Sequence, residues 1–134
     1  MSTFSSIYLG ELRVKSTHDK SGVEIITDAP VDNHGKGESF SPTDLLCTSL
    51  ASCMITLMGI SANGHSIDLS GLRTKTYKFM ESNPRRVGKI RVEVEFLPNQ
   101  LTDHQKEILK HAALTCPVYL SLHPEIEKDI VFNW

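Results

Sequence analysis

Two cysteines in this chain stand where a thiol could do chemistry. Cys53 lies inside an apolar run at residues 45–62, and Cys116 directly precedes a proline in Thr115-Cys116-Pro117-Val118. A cysteine just before a proline at a helix start sits beside backbone N–H groups with no helical partner and near the positive end of the helix dipole. Such a setting is expected to favour thiolate over thiol at Cys116. Cys53 has a blander alternative, a small buried hydrophobe whose burial keeps it protonated and inert. The same bland reading applies more strongly to Cys47. On a helix Cys53 would share a face with Leu46, Leu50, Leu57 and Ile60, with Cys47 on the neighbouring stripe beside Ala51 and Met54.

Other catalytic types are thinly represented. The six histidines are scattered, so no Ser-His-Asp or Cys-His arrangement can be drawn. Cys47 and Cys53 are six positions apart and no Cys-x-x-Cys occurs, which argues against structural zinc. Gly35-Lys36-Gly37 has no strand before it and no lysine-serine pair, so it does not read as a phosphate loop. With 14 Lys and Arg against 16 Asp and Glu, the charge is nearly balanced, and nucleic acid or an anionic membrane is not the expected partner. The first six residues carry no basic region leading into a long apolar stretch, so a cytoplasmic protein is expected. In that compartment three cysteines do not make a disulfide framework, and any pairing is redox chemistry rather than stapling.

The elements that must position these thiols follow from pattern. A length of 134 residues suits one domain, 1–134, with its own core. Residues 5–15 and 23–27 read as an opening hairpin through Asp19-Lys20-Ser21-Gly22. Residues 28–41 have loop composition and lead into Ser41-Pro42-Thr43-Asp44, a helix start with a capping hydroxyl, a proline at the first helical position and a carboxylate three residues on. The helix should run to Asn63-Gly64, where the glycine can take the left-handed closing conformation. Being apolar nearly all round, it is expected to be buried.

Residues 72–80 and 89–97 form a second strand pair, the latter alternating Ile90, Val92, Val94 and Phe96 against Arg91, Glu93 and Glu95. Thr102-Asp103-His104-Gln105 opens another helix, Cys116-Pro117 a short one, and residues 126–132 a closing strand. The order β-β-α-β-β-α-(short α)-β makes an α+β domain.

Together, the Ser41-Pro42-Thr43-Asp44-Leu45-Leu46 helix entry, the Leu50-Ala51-Ser52-Cys53 helix and the Cys116-Pro117-Val118 helix start resemble the OsmC/Ohr family of osmotically inducible and organic hydroperoxide resistance proteins. The likeness extends over nearly the whole chain, including the loop at residues 28–37. It implies an intertwined homodimer, with two β-sheets around paired central helices and active sites at the subunit interface. It also implies thiol-dependent reduction of organic hydroperoxides, with Cys53 as the peroxidatic and Cys116 as the resolving cysteine.

An external dithiol or lipoyl-type reductant would complete the cycle, with no metal or bound organic cofactor. By the same resemblance Arg13 would stabilise the Cys53 thiolate. In the organic hydroperoxide branch of the family a glutamate directly follows the entry proline, where this chain has Thr43; other branches carry the carboxylate one residue later, so by resemblance that role would fall to Asp44. Capping alone also explains an aspartate there. Nine residues separate Asp44 from Cys53, about 13 Å along a helix and about 180° round it, so contact would need the other subunit. Leu50, Met54 and Leu57 are the expected apolar contacts for an organic substrate. The rival expectation is a non-catalytic dimer of the same fold that senses redox state or binds a small molecule.

Overall fold

The turn at Glu11 and Leu12 shapes the start of the chain. Both residues have positive φ, 53° and 62°, the conformation of a two-residue hairpin turn whose twist matches its strands. In this computed structural model, which describes residues 2–134, that turn joins strand β1 (Phe4–Gly10) to β2 (Arg13–His18), and β3 (Glu24–Asp28) follows. The three make an antiparallel sheet in the order β1-β2-β3. The opening is therefore three strands, one more than the pattern suggested. Neither Glu11 nor Leu12 carries the glycine or asparagine signal that normally marks such a turn. Gly10, with φ 87°, takes up the register shift beside it.

The chain divides into two compact units, one ending at Leu46 and the other spanning Cys47–Trp134, and the boundary falls within helix α1 (Pro42–Gly64). In the first unit a one-turn helix at Val31–Asn33 follows β3. Gly35 is required in this loop, because a Cβ there would lie 1.7 Å from the carbonyl oxygen of Ala29. The start of α1 is capped reciprocally: the Asp44 N–H donates to Ser41 Oγ at 3.1 Å, and the Ser41 N–H donates to Asp44 Oδ2 at 2.9 Å. Its far end differs from expectation. Gly64 stays helical, and Ser66 takes the left-handed conformation, with φ 54°. The Ile67 N–H then bonds the Ala62 carbonyl, the long bond of a Schellman closure.

In the second unit β4 (Arg73–Glu81), β5 (Arg86–Glu95) and β6 (Glu127–Asn133) form a sheet in that order, β4 antiparallel and β6 parallel to β5. A parallel neighbour needs a crossover, and helices α2 (Asp103–Leu114) and α3 (Pro117–Ser121) supply it. The Thr102-Gln105 capping box at the start of α2 is fully formed. Ile90, Val92 and Val94 of β5 are completely buried, as the alternation required. They pack in one core with Leu109 and Ala113 of α2 and with Cys47, Leu50, Met54 and Met58 of α1. The opposite face carries ion pairs across the strands, including Arg91 Nη1 to Asp129 Oδ2 at 2.7 Å and Lys75 to Glu95 at 2.9 Å.

Helix α1 is long and apolar enough, by length and composition, to cross a membrane. It is not buried all round. One stripe enters the core, while Leu46 and Ile60 on the far side are 38% and 62% exposed.

Candidate functional site

The core stripe of α1 recurs at Cys47, Leu50, Ala51, Met54, Met58 and Ala62, the spacing of a single helix face. Cys53 lies about 130° from its centre at 100° per residue. That offset leaves Cys53 half-buried at the edge of the core, while Cys47 is buried in it. Leu50 and Met54 are also wholly buried, and Leu57, one turn beyond Cys53, is half-buried. The face inferred for Cys53 therefore splits. Leu50 goes inward, whereas Leu46, Cys53, Leu57 and Ile60 form the outer flank.

Cys116 is pinned where α2 hands over to α3. It is the N-cap residue of α3, with extended backbone (φ −68°, ψ 149°) and Pro117 behind it. Its N–H donates to the Ala113 carbonyl, its carbonyl accepts from Leu120, and its Sγ accepts the Tyr119 N–H at 3.3 Å. The Cys53 side chain lies close enough to that of Cys116 to act on its ionisation, so two residues 63 positions apart are neighbours. All three cysteines are free thiols.

The thiolate preference expected at Cys116 is reversed. Burial pushes its thiol up from the ordinary value, and the neighbouring Cys53 pushes in the same direction; the Tyr119 N–H opposes them without prevailing. The cap is present as expected, but desolvation of a fully buried sulfur outweighs it. Cys116 thus favours its protonated form.

Within the first unit, Arg13 opens β2 directly opposite Asp28, the last residue of β3. Its Nε donates to Asp28 Oδ1 at 2.7 Å and its Nη2 to Asp28 Oδ2 at 2.9 Å, a two-pronged pair with a carboxylate only 1% exposed. Nη2 also donates to Glu38 Oε2 at 3.0 Å. These bonds raise the Arg13 pKa further above its ordinary value, and the guanidinium holds the Asp28 carboxyl below the usual range. Asp28 and Glu38 escaped the sequence reading. Asp44 is engaged in the cap of α1 described above. Among the described residues, no group of three or more His, Cys, Asp or Glu is placed to hold a metal ion.

A family model described as OsmC-like protein matches residues 35–130. Curated protein sequences give no match. A crystal structure from Psychrobacter arcticus 273-4, named for an osmotic stress induced and detoxification response, is 47% identical, covers 99% of this chain and 96% of that one, and superposes with a TM-score of 0.94.

Two more distant structures share the fold. One is an organic hydroperoxide resistance protein OsmC from Legionella pneumophila, with 12% identity, 100% and 98% coverage and a TM-score of 0.77. The other is an organic hydroperoxide resistance protein of Vibrio cholerae with captopril in one of its active sites, with 14% identity, 99% and 92% coverage and a TM-score of 0.75. With a family match over most of its length and a close relative aligned from end to end, the chain belongs to the OsmC-like family.

Proposed function

We propose that this protein reduces organic hydroperoxides with Cys53 as the attacking thiol and Cys116 as the resolving one. The observation that carries this reading is that Cys53 and Cys116 are neighbours of unequal burial. Of that pair Cys53 is the half-exposed member and Cys116 the fully buried one, so a peroxide can reach only Cys53 directly.

The chemistry balances without a metal. The Cys53 thiolate attacks one peroxide oxygen and the O–O bond breaks. The alkoxide leaves and takes up a proton as the alcohol, and Cys53 becomes a sulfenic acid. The Cys116 sulfur then attacks Cys53, its proton and the sulfenic hydroxyl leave as water, and a disulfide forms. An external dithiol, of the lipoyl type in this reading, exchanges with that disulfide and restores both thiols.

Leu57 and Ile60, at four and seven residues after Cys53, flank the attacking sulfur and favour an organic peroxide over hydrogen peroxide. Leu50 and Met54 support that face from the core. Arg13 is assigned to stabilise the thiolate on the strength of the family resemblance and of a guanidinium held by fixed partners. Asp44 is assigned to the cap of α1, with no chemical step routed through it.

A homodimer fits the same reading. The exposed flank of α1 and the exposed Phe4, Ile7 and Tyr8 of β1 are more apolar surface than a lone soluble chain usually leaves open. Three free cysteines suit a reducing, cytoplasmic setting.

The test is peroxide consumption coupled to a dithiol, comparing the parent with Cys53→Ser and Cys116→Ser. Cys53→Ser should abolish turnover. Cys116→Ser should retain a single burst of peroxide consumption and accumulate sulfenic acid. A parent whose thiols stay free and which consumes neither organic nor hydrogen peroxide would sink the enzymatic reading in favour of a non-catalytic sensor or binding module.

A further inference from the structure

We propose that Asp28 is the positioning residue that orients Arg13 and that Glu38 is a competing carboxylate that restrains it, so the two acidic partners act on the guanidinium in opposite senses. This inference rests on the role assigned to Arg13 under the proposed function.

The asymmetry lies in the geometry. Asp28 faces Arg13 across a β2–β3 pair and grips it along one edge of the guanidinium, through both Nε and Nη2. It is itself immobilised, its N–H bonded to the Phe40 carbonyl and its Oδ2 accepting the Glu38 N–H at 3.1 Å. A buried carboxylate gripping two nitrogens fixes the plane of an arginine, which a single contact cannot do. Among the described residues, the hydrogen bonds of Arg13 run through Nε and Nη2. Nη1 takes part in none of these three bonds.

Glu38 differs on each count. Its side chain is 66% exposed, it reaches only Nη2, and it follows Gly37, whose φ is 61°. Two carboxylates on one guanidinium also over-neutralise it, since the cluster of Arg13, Asp28 and Glu38 sums to one negative charge. Lys36 and Glu11 nearby pair with each other and add no net charge. An arginine meant to stabilise an anion gains orientation from the first carboxylate and loses positive potential to the second.

The experiment measures the pH profile of Cys53 alkylation by iodoacetamide in the full-length chain, site-resolved by peptide mass spectrometry, in the parent and four variants. Arg13→Ala should move the profile to higher pH. Asp28→Asn should do the same, slowing alkylation at pH 7 by roughly tenfold, the effect of about one unit in thiol pKa. Arg13→Lys keeps the charge without the fork and should lose about as much as Asp28→Asn.

Glu38→Gln should move the profile the other way and raise the rate about two- to fivefold, a fraction of a pKa unit. Circular dichroism and unfolding midpoints confirm that each variant is folded. If Asp28→Asn does not fold, Arg13→Lys and Glu38→Gln carry the test. The inference is overturned if Arg13→Ala shifts the profile while folded Asp28→Asn and Arg13→Lys leave it in place, or if Glu38→Gln slows alkylation. A profile unmoved by Arg13→Ala instead removes the role of Arg13 itself, and the inference with it.

Discussion

Oxidation that joins Cys53 to Cys116 should stabilise the fold as well as complete a catalytic step. The two residues stand 63 positions apart, and a cross-link closing a loop of that size removes chain entropy from the unfolded state worth about 4 kcal/mol at 25 °C. Two structural facts say how much of this should survive. The two side chains are already neighbours, so the sulfurs need only a local approach to the roughly 2 Å of an S–S bond. Cys116, however, is held by its cap bonds to Ala113, Tyr119 and Leu120, and Cys53 by a continuous helix, so some strain must be subtracted. A net gain of about 2 to 4 kcal/mol is expected.

The assay is urea unfolding of the chain fully reduced and after one equivalent of an organic hydroperoxide. Mass spectrometry should show a loss of about 2 Da and a linked peptide containing both residues. The oxidised midpoint should rise clearly, and Cys116→Ser should show no such rise. A Cys53–Cys116 link without a higher midpoint would refute the loop argument. A link that recruits Cys47 would refute the pairing.

Three further outcomes follow from the core, a cap and a titration. Leu109→Ala and Met54→Ala, both at fully buried positions, should each cost about 2 to 5 kcal/mol in denaturant unfolding, while Leu57→Ala should cost less and instead raise the KM for a bulky hydroperoxide. Thr102→Ala removes the hydroxyl that caps α2 and should cost about 1 kcal/mol by the same measurement. Cys116, its thiol raised by burial, should resist alkylation in the folded reduced chain until the pH climbs beyond the ordinary thiol range of about 8.5, and should react normally in denaturant. The sign follows from linkage. A raised folded pKa means the proton stabilises the fold, so this contribution is present below the unfolded value and disappears as pH rises through the folded one.

Strong local signals carried most of the architecture. The Ser41-Pro42 entry, the Thr102-Gln105 capping box and the alternation along β5 all specify their elements without tertiary help, and each was legible. The extra strand was not, because Glu11 and Leu12 adopt positive φ without the residues that usually announce it. The Arg13–Asp28 pair was closer to hand than it looked. A hairpin centred between Lys20 and Ser21 places equally distant residues opposite each other, which sets 13 against 28. What no pattern shows is that Asp28 would be buried there, or that the loop would fold Glu38 back onto the same guanidinium. The facing of α1 had a simpler cause. An apolar run with little periodicity does not say which stripe meets the core, and only packing put Cys47 inside and Cys53 at the edge.

Under the proposed function, that difference in burial would let two cysteines divide one reaction. Local geometry alone makes Cys116 look like the better nucleophile, since a helix cap and the Tyr119 N–H both favour a negative sulfur. Complete burial overrides them and favours the protonated thiol, which under the proposed function would make Cys116 a poor first attacker. In the proposed cycle, oxidation would make the Cys53 sulfur the electrophile that Cys116 attacks, and the Cys116 proton would leave with the sulfenic hydroxyl as water. The raised affinity of Cys116 for its proton would then keep it from attacking first, so that the resolving thiol acts only after Cys53 has been oxidised.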